Sequence, residues 1–161
     1  MIAKQIIRGV LLVVALGSIA VWGNREYRKS KVIEQSAAAP IPAENLPVVS
    51  GNQVVMTYFI SGPRCVSCKK IEDLTRETAE KDFPAELANK KLIFRVVDTG
   101  EPANHHYVGA YKLTSKTVVL SHRVDGKETE WAAMDKVWDY LDAPDAFRSY
   151  LAEPIRKFLG P

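Results

Sequence analysis

The run Val54-Val55-Met56-Thr57-Tyr58-Phe59-Ile60 is nearly continuous in β-branched and aromatic residues, the pattern of a strand covered on both faces. Gly62 and Pro63 end it, and the hydrophobic period then changes. Cys68, Ile71, Leu74, Thr75 and Thr78 recur at intervals of three and four, while Lys69, Glu72, Asp73, Arg76 and Glu77 fall on the other side, which predicts an amphipathic helix. A short element follows around Pro84 to Leu87, then a second strand at Leu92 to Val97. Pro102 to Tyr111 reads as a helix with proline in its first turn. Thr117 to Ser121 is a third strand, and Val124-Asp125-Gly126-Lys127 is a hairpin turn into a fourth near Glu128 to Trp131. Asp142, Pro144 and Asp145 open a closing helix that carries Phe147, Tyr150 and Leu151, with Pro154 expected to kink or interrupt it before Phe158.

The pattern before residue 53 is of another kind. Gly9 to Asn24 is uncharged and apolar, with Lys4 and Arg8 ahead of it. Including Ile6 and Ile7 brings the stretch to the lower limit of about 17 residues for a membrane span, since Arg8 can turn its guanidinium back to the headgroups. A retained membrane anchor over 1–23 is favoured over a cleaved signal peptide: Ala37 to Ala39 lie too far downstream, and Val21-Trp22-Gly23 is a weak cleavage site. A buried core helix is disfavoured, because nothing in residues 24 to 50 would cover so uniform an apolar surface. Between Ser30 and Asn52 the chain turns to Ala, Pro, Glu, Asn and Ser, and Pro40, Pro42 and Pro47 prevent regular structure, so 24–52 is read as a flexible linker. A coil of that length has an end-to-end distance on the order of 30 Å. The folded domain is expected over 53–161.

At 161 residues, with 47% hydrophobic and 25% charged, the chain has room for one such domain beside the N-terminal segment. Its net charge of +3 resides in residues 1 to 50, which hold six Lys and Arg against three Asp and Glu; residues 51 to 161 hold sixteen of each. No basic nucleic-acid-binding surface is therefore indicated. Cationic residues flank the apolar stretch on both sides, so the charge rule does not orient it. The domain is expected outside the cytoplasm, in a periplasmic setting, because a lone N-terminal anchor commonly exports the chain downstream of it and an oxidising compartment suits a dithiol.

That dithiol is the candidate chemistry. Cys65 and Cys68 are the only two cysteines, placed between the first strand and the first helix. One short disulfide loop constrains an unfolded chain little, so stapling is a poor reason for the pair. A helix N-terminus stabilises a thiolate, and cationic neighbours can bring a thiol from about 8.5 into the range of about 3.5–7.5. Cys65, at the helix tip beside Arg64, with Lys69 and Lys70 close in sequence, is assigned as attacking nucleophile. Cys68, facing inward one turn on, is assigned to resolve the mixed disulfide. A passive pair and half of a metal site are the alternatives. A metal would need further ligands, and His105, His106 and His122 have no spacing that requires convergence on the cysteines. Trp131, Trp138 and Tyr140 are expected to pack the C-terminal layer. No phosphate loop and no nicotinamide or flavin fingerprint is present, so no cofactor is expected.

Strand, helix, strand, helix, β-hairpin and closing helix is the element order of the thioredoxin fold, an α/β fold with a central mixed sheet flanked by helices. Within it, Tyr58 to Cys68 followed by Ile71-Glu72 resembles the thioredoxin-like nitrophenyl compound nitroreductase subunit ArsF family. Arg95-Val96-Val97 with Glu101-Pro102-Ala103-Asn104, Asp125-Gly126-Lys127-Glu128 before Trp131, and Lys136-Val137-Trp138 extend the resemblance across the domain. It implies association with reductase or arsenic-related functions; nitroreduction needs a flavin, which would belong to another subunit. Thioredoxins carry tryptophan before the first cysteine, where this chain has Arg64, and a buried acid on the first strand, where it offers Thr57 and Phe59. They place a cis-proline before the third strand, where this chain has Ser115-Lys116-Thr117. A non-proline cis bond costs ~2.5–4 kcal/mol, so a trans peptide is expected, and Lys116 can bring a cation near the dithiol. These departures point away from a general protein reductase and toward a dedicated redox partner protein.

The resulting expectation is a membrane-anchored thiol-disulfide oxidoreductase or electron-transfer protein. Capture of trivalent arsenic by vicinal thiolates and a redox-inactive interaction module are the other two readings. Export of the domain predicts that protease added to cells with a permeabilised outer layer and an intact inner membrane degrades a C-terminal tag; a protected tag would reverse the orientation.

Overall fold

The computed structural model describes residues 46–160. The anchor expected over 1–23 and most of the linker expected over 24–52 lie outside the described residues. Among the described residues no helix is long and apolar enough to cross a membrane.

Strand β1 (Asn52–Ile60) leads to helix α1 (Val66–Asp82), then α2 (Pro84–Ala88) and β2 (Leu92–Asp98). A 3₁₀ turn (Pro102–Asn104) and helix α3 (His106–Ala110) precede β3 (Thr117–Val124) and β4 (Lys127–Ala133); a second 3₁₀ turn (Asp135–Trp138) and helix α4 (Pro144–Leu159) complete the order. The four strands form one mixed sheet in the order β2-β1-β3-β4. β1 runs parallel to β2, with Tyr58 opposite Val96, and antiparallel to β3, with Phe59 opposite Thr117. This is an α/β architecture, a sheet flanked by helices, compatible with the expected thioredoxin-like fold.

The alternation of β1 side chains builds two cores. Val54, Met56, Tyr58 and Ile60 enter the larger one, where they meet Ile71 and Leu74 of α1 and Phe147, Leu151 and Ile155 of α4. Phe59 points the other way, into a smaller cluster with Tyr107, Tyr111 and Val119. Its ring lies 5.2 Å from Tyr107 and 5.5 Å from Tyr111, centroid to centroid. β1 is thus covered on both faces, as its unbroken apolar run predicts. Trp131 closes the smaller cluster edge-on to Tyr111, while Trp138 and Tyr140 pack against the larger core, so the three aromatics act as packing residues.

Three expectations need correction. The helix expected over Pro102 to Tyr111 divides into a 3₁₀ turn and the five-residue α3. So short a helix does not sustain itself; Asn104 donates to the Asp98 carbonyl at 2.9 Å, and the buried Tyr107 and Tyr111 hold the segment to the sheet. The closing helix does begin where Asp142, Pro144 and Asp145 place it, with Ala143 as its cap, Pro144 its first residue and Asp142 paired with Lys70 at 2.9 Å. Glu72 is not on the solvent side of α1 but buried. Pro154 does not end α4, which continues through it to Leu159. Burial of Ile155 and Phe158 on the core keeps the chain helical despite a proline that costs about 3 kcal/mol in a helix interior.

Both strands of the hairpin also run further than their sequence pattern, because the ladder continues to Val124 opposite Lys127. Asp125 and Gly126 both have positive φ, 50° and 82°, the conformation that a two-residue turn of this hand requires. Asp125 Oδ1 accepts the Gly51 N–H at 2.8 Å, which ties the turn to the chain entering β1.

Replacing Pro154 with alanine restores a helix donor inside α4 and is expected to stabilise the domain by about 1–3 kcal/mol. Urea unfolding of both proteins measures this, and a less stable variant would mean that the proline geometry is needed for docking α4.

Candidate functional site

The site forms where β1 stops. Beyond Ile60 the chain needs a sharp change of direction, and Gly62, at φ 65°, supplies a backbone conformation that a side chain would strain. Cys65 then serves as the N-cap of α1, its Sγ accepting the Cys68 N–H at 3.1 Å. Its carbonyl accepts from the Lys69 N–H at 3.1 Å, so both sulfurs are positioned by the first helical turn. The two are joined in a disulfide, with their Cα atoms 5.0 Å apart. Cys65 is exposed, whereas Cys68 retains only 2% of its surface. Val66, between them, is 86% exposed and adds an apolar contact at the helix tip.

Electrostatically the tip is positive. α1 has 17 residues and no acidic residue in its first turn, so the partial charge of its N-terminal amides is not offset locally. Arg64, expected to act on Cys65, has a different partner: its Nη1 lies 2.6 Å from Glu72 Oε2, and Arg76 Nη2 lies 2.8 Å from Glu72 Oε1. Glu72 is one turn beyond Cys68 on the same face, and the two guanidinium groups neutralise it there. A helical wheel counts a glutamate as polar and misses this; its spacing of four from Cys68 is the signal that could have found it.

Lys116 brings a cation to the inner sulfur. Pairing of Phe59 with Thr117 sets the start of β3 beside the end of β1, and the Lys116 side chain reaches across the opening. Its Nζ donates to the Pro63 carbonyl at 2.6 Å and stands 3.5 Å from Cys68 Sγ. Trp138 Nε1 donates to the Lys116 carbonyl at 2.7 Å, fixing the backbone there. The described residues contain no cis peptide, so the bond before Lys116 is trans, as expected for a chain without proline there.

Tyr58 lies beneath this surface. Its hydroxyl is buried without a hydrogen-bond partner, and burial, reinforced by the Glu72 charge and opposed by Arg64, pushes the phenol up to about 12. The structure does not bring the histidines to the dithiol. His105 and His106 belong to the α3 segment, where His106 Nδ1 is 2.9 Å from the Ala103 carbonyl. His122 stacks on Phe158 at 5.1 Å and bonds with Asn52. Among the described residues no cluster of three or more His, Cys, Asp or Glu side chains has the form of a metal site.

No family model matches this chain, and no curated protein matches it.

The folded Tyr58 phenol keeps its proton to about 12 where an unperturbed one releases it at 10.0. Its contribution to stability is therefore complete below pH 10 and lost as the pH rises through 12. Tyr58→Phe removes a buried hydroxyl that has no partner, so the variant should be at least as stable at neutral pH. The alkaline loss should shrink by on the order of 2 kcal/mol. Urea titrations across the alkaline range compare the two, and an equal alkaline loss in both would refute the assignment.

Proposed function

We propose that this chain is a thioredoxin-like thiol-disulfide oxidoreductase or electron-transfer protein, tethered to a membrane by its N-terminal segment with its domain on the extracytoplasmic side. The sequence likeness to the nitrophenyl compound nitroreductase subunit ArsF family supports this grouping, with any flavin chemistry supplied by another subunit. One observation carries the redox reading: a disulfide at the tip of an uncompensated helix N-terminus, with one sulfur open to solvent and the other enclosed.

The asymmetry supports these roles. In the reduced protein the Cys65 thiolate attacks one sulfur of a partner disulfide. A bond forms between Cys65 and that sulfur, the partner's sulfur–sulfur bond breaks, and its other sulfur leaves as a thiolate. Cys68 then attacks Cys65 Sγ, expelling the second partner sulfur and closing the Cys65–Cys68 bond. Two electrons pass to the partner; the reverse sequence carries them back. An enclosed Cys68 cannot collide with a large disulfide, but it needs only to reach a neighbour already held by the same turn.

The partner is a dedicated protein. Lys116 stands where thioredoxins have the proline that aligns a substrate backbone, and the exposed Val66 offers an apolar contact beside Cys65. Cys68→Ser is expected to accumulate a covalent mixed disulfide that reductant releases, and Cys65→Ser to accumulate none. Exchange by Cys65→Ser should fall by at least about a hundredfold, since no accessible thiolate remains. Non-reducing electrophoresis and mass spectrometry of the trapped species provide the readout. A wild-type pair that neither reduces nor re-forms with glutathione would overturn the reading.

A further inference from the structure

We propose that Lys116 holds the charge of the Cys68 thiolate, making it the residue that enables the resolving step of this dithiol; the inference rests on the exchange reading above. Its Nζ is anchored on the Pro63 carbonyl at 2.6 Å and faces Cys68 Sγ at 3.5 Å. The ammonium thus already stands beside that sulfur while the disulfide is closed.

The need for such a group arises from burial. Cys68 is enclosed, and an ionised thiol without a countercharge in that position would be strongly disfavoured. The other ionisable groups around the pair do not meet the need. Arg64 and Arg76 are committed to Glu72, which is itself an anion one turn along α1 from Cys68. Lys70 pairs with Asp142, Lys69 lies exposed, and the Tyr58 phenol remains neutral below about 12. The helix N-terminus acts chiefly on Cys65, its capping residue. First-strand residues Thr57 and Phe59 carry no acid. Lys116 is the group whose position matches the inner sulfur.

In the step itself, the Cys68 thiol gives up its proton to water, and the partner thiolate released when Cys65 attacked takes one up after it has left. The Cys68 thiolate, held against the Lys116 ammonium, attacks Cys65 Sγ. The Cys65–partner bond breaks, and the second partner sulfur departs with the electron pair. The lysine keeps its protons throughout.

The test titrates each sulfur alone by thiolate ultraviolet absorbance, Cys68 in Cys65→Ser and Cys65 in Cys68→Ser, with residue 116 as lysine, arginine, methionine or glutamine. With Lys116→Met or Lys116→Gln the Cys68 midpoint should rise by about one pH unit, about a tenfold loss of thiolate at neutral pH. The Cys65 midpoint should rise less, and Lys116→Arg should keep both near their starting values. Resolution of a glutathione mixed disulfide preformed on Cys65 should slow about threefold in the neutral variants, because the more basic thiolate is also the stronger nucleophile. Circular dichroism identifies any variant that has lost its fold, and the remaining neutral variant then carries the comparison. Equal Cys68 midpoints with lysine and with a neutral residue would overturn this role while glutathione exchange by the wild type still stood. Failure of that exchange would instead remove the reading beneath it.

Discussion

Strand β1 has no side facing solvent, and the geometry of the dithiol depends on that constraint. Val54, Met56, Tyr58 and Ile60 are committed to the core under α1 and α4, and Phe59 to the cluster under α3. A slip of one residue would exchange these two sets, driving Tyr58 toward Tyr107 and Phe59 toward Ile71, so the register is tightly specified. With the register set, Ile60 is the last residue of the ladder, and the loop from Ser61 to Arg64 has a defined starting point. The same register brings Thr117, and with it Lys116, to the end of the sheet where α1 begins. Core packing and site geometry therefore share one cause.

Much of this is legible in the chain because the signals are local. A continuous apolar run marks β1, the change of period after Pro63 marks α1, and Asp125-Gly126 provides the two positive-φ residues of the hairpin. The orientation of the cysteines follows from helix period alone, with Cys68 on the apolar face and Cys65 at the tip. What escapes is what tertiary contacts decide. Glu72 reads as solvent-facing because a wheel assigns glutamate to the polar side, yet arginines before and after it in sequence make its burial tolerable. Arg64 reads as a neighbour of Cys65 by adjacency, but its side chain turns to Glu72. The bulge between His122 and Arg123 and the continuation of α4 through Pro154 have no local marker either. Both persist because the flanking residues pair or pack.

The Arg64–Glu72–Arg76 cluster also shows which electrostatic effect matters here. Arg64 and Arg76 are each roughly half exposed, at 44% and 47% of their side-chain surface, so their mutual screening by water is strong and their worth as surface ion pairs is small. Glu72 is different because its side chain retains only 11% exposure. Left alone, that carboxylate would oppose any negative charge on Cys68. Pairing it from both sides removes the opposition, which matters more to the site than any direct gain in stability.

The two sulfurs consequently meet different fields, delivered by different parts of the fold. Cys65 takes its stabilisation from the amides of α1, a source built into the helix backbone that no side-chain substitution within the first turn removes. Cys68 lies inside, where the helix field weakens and burial penalises charge, and the group that reaches it comes from the loop leading into β3. Trp138 holds that loop through the Lys116 carbonyl, so the position of the ammonium is tied to the packing of the C-terminal layer. A change in how the C-terminal layer packs would therefore move the ammonium relative to the inner sulfur. The loop position before β3 thus carries a charge, and the contact it makes is with the protein's own sulfur.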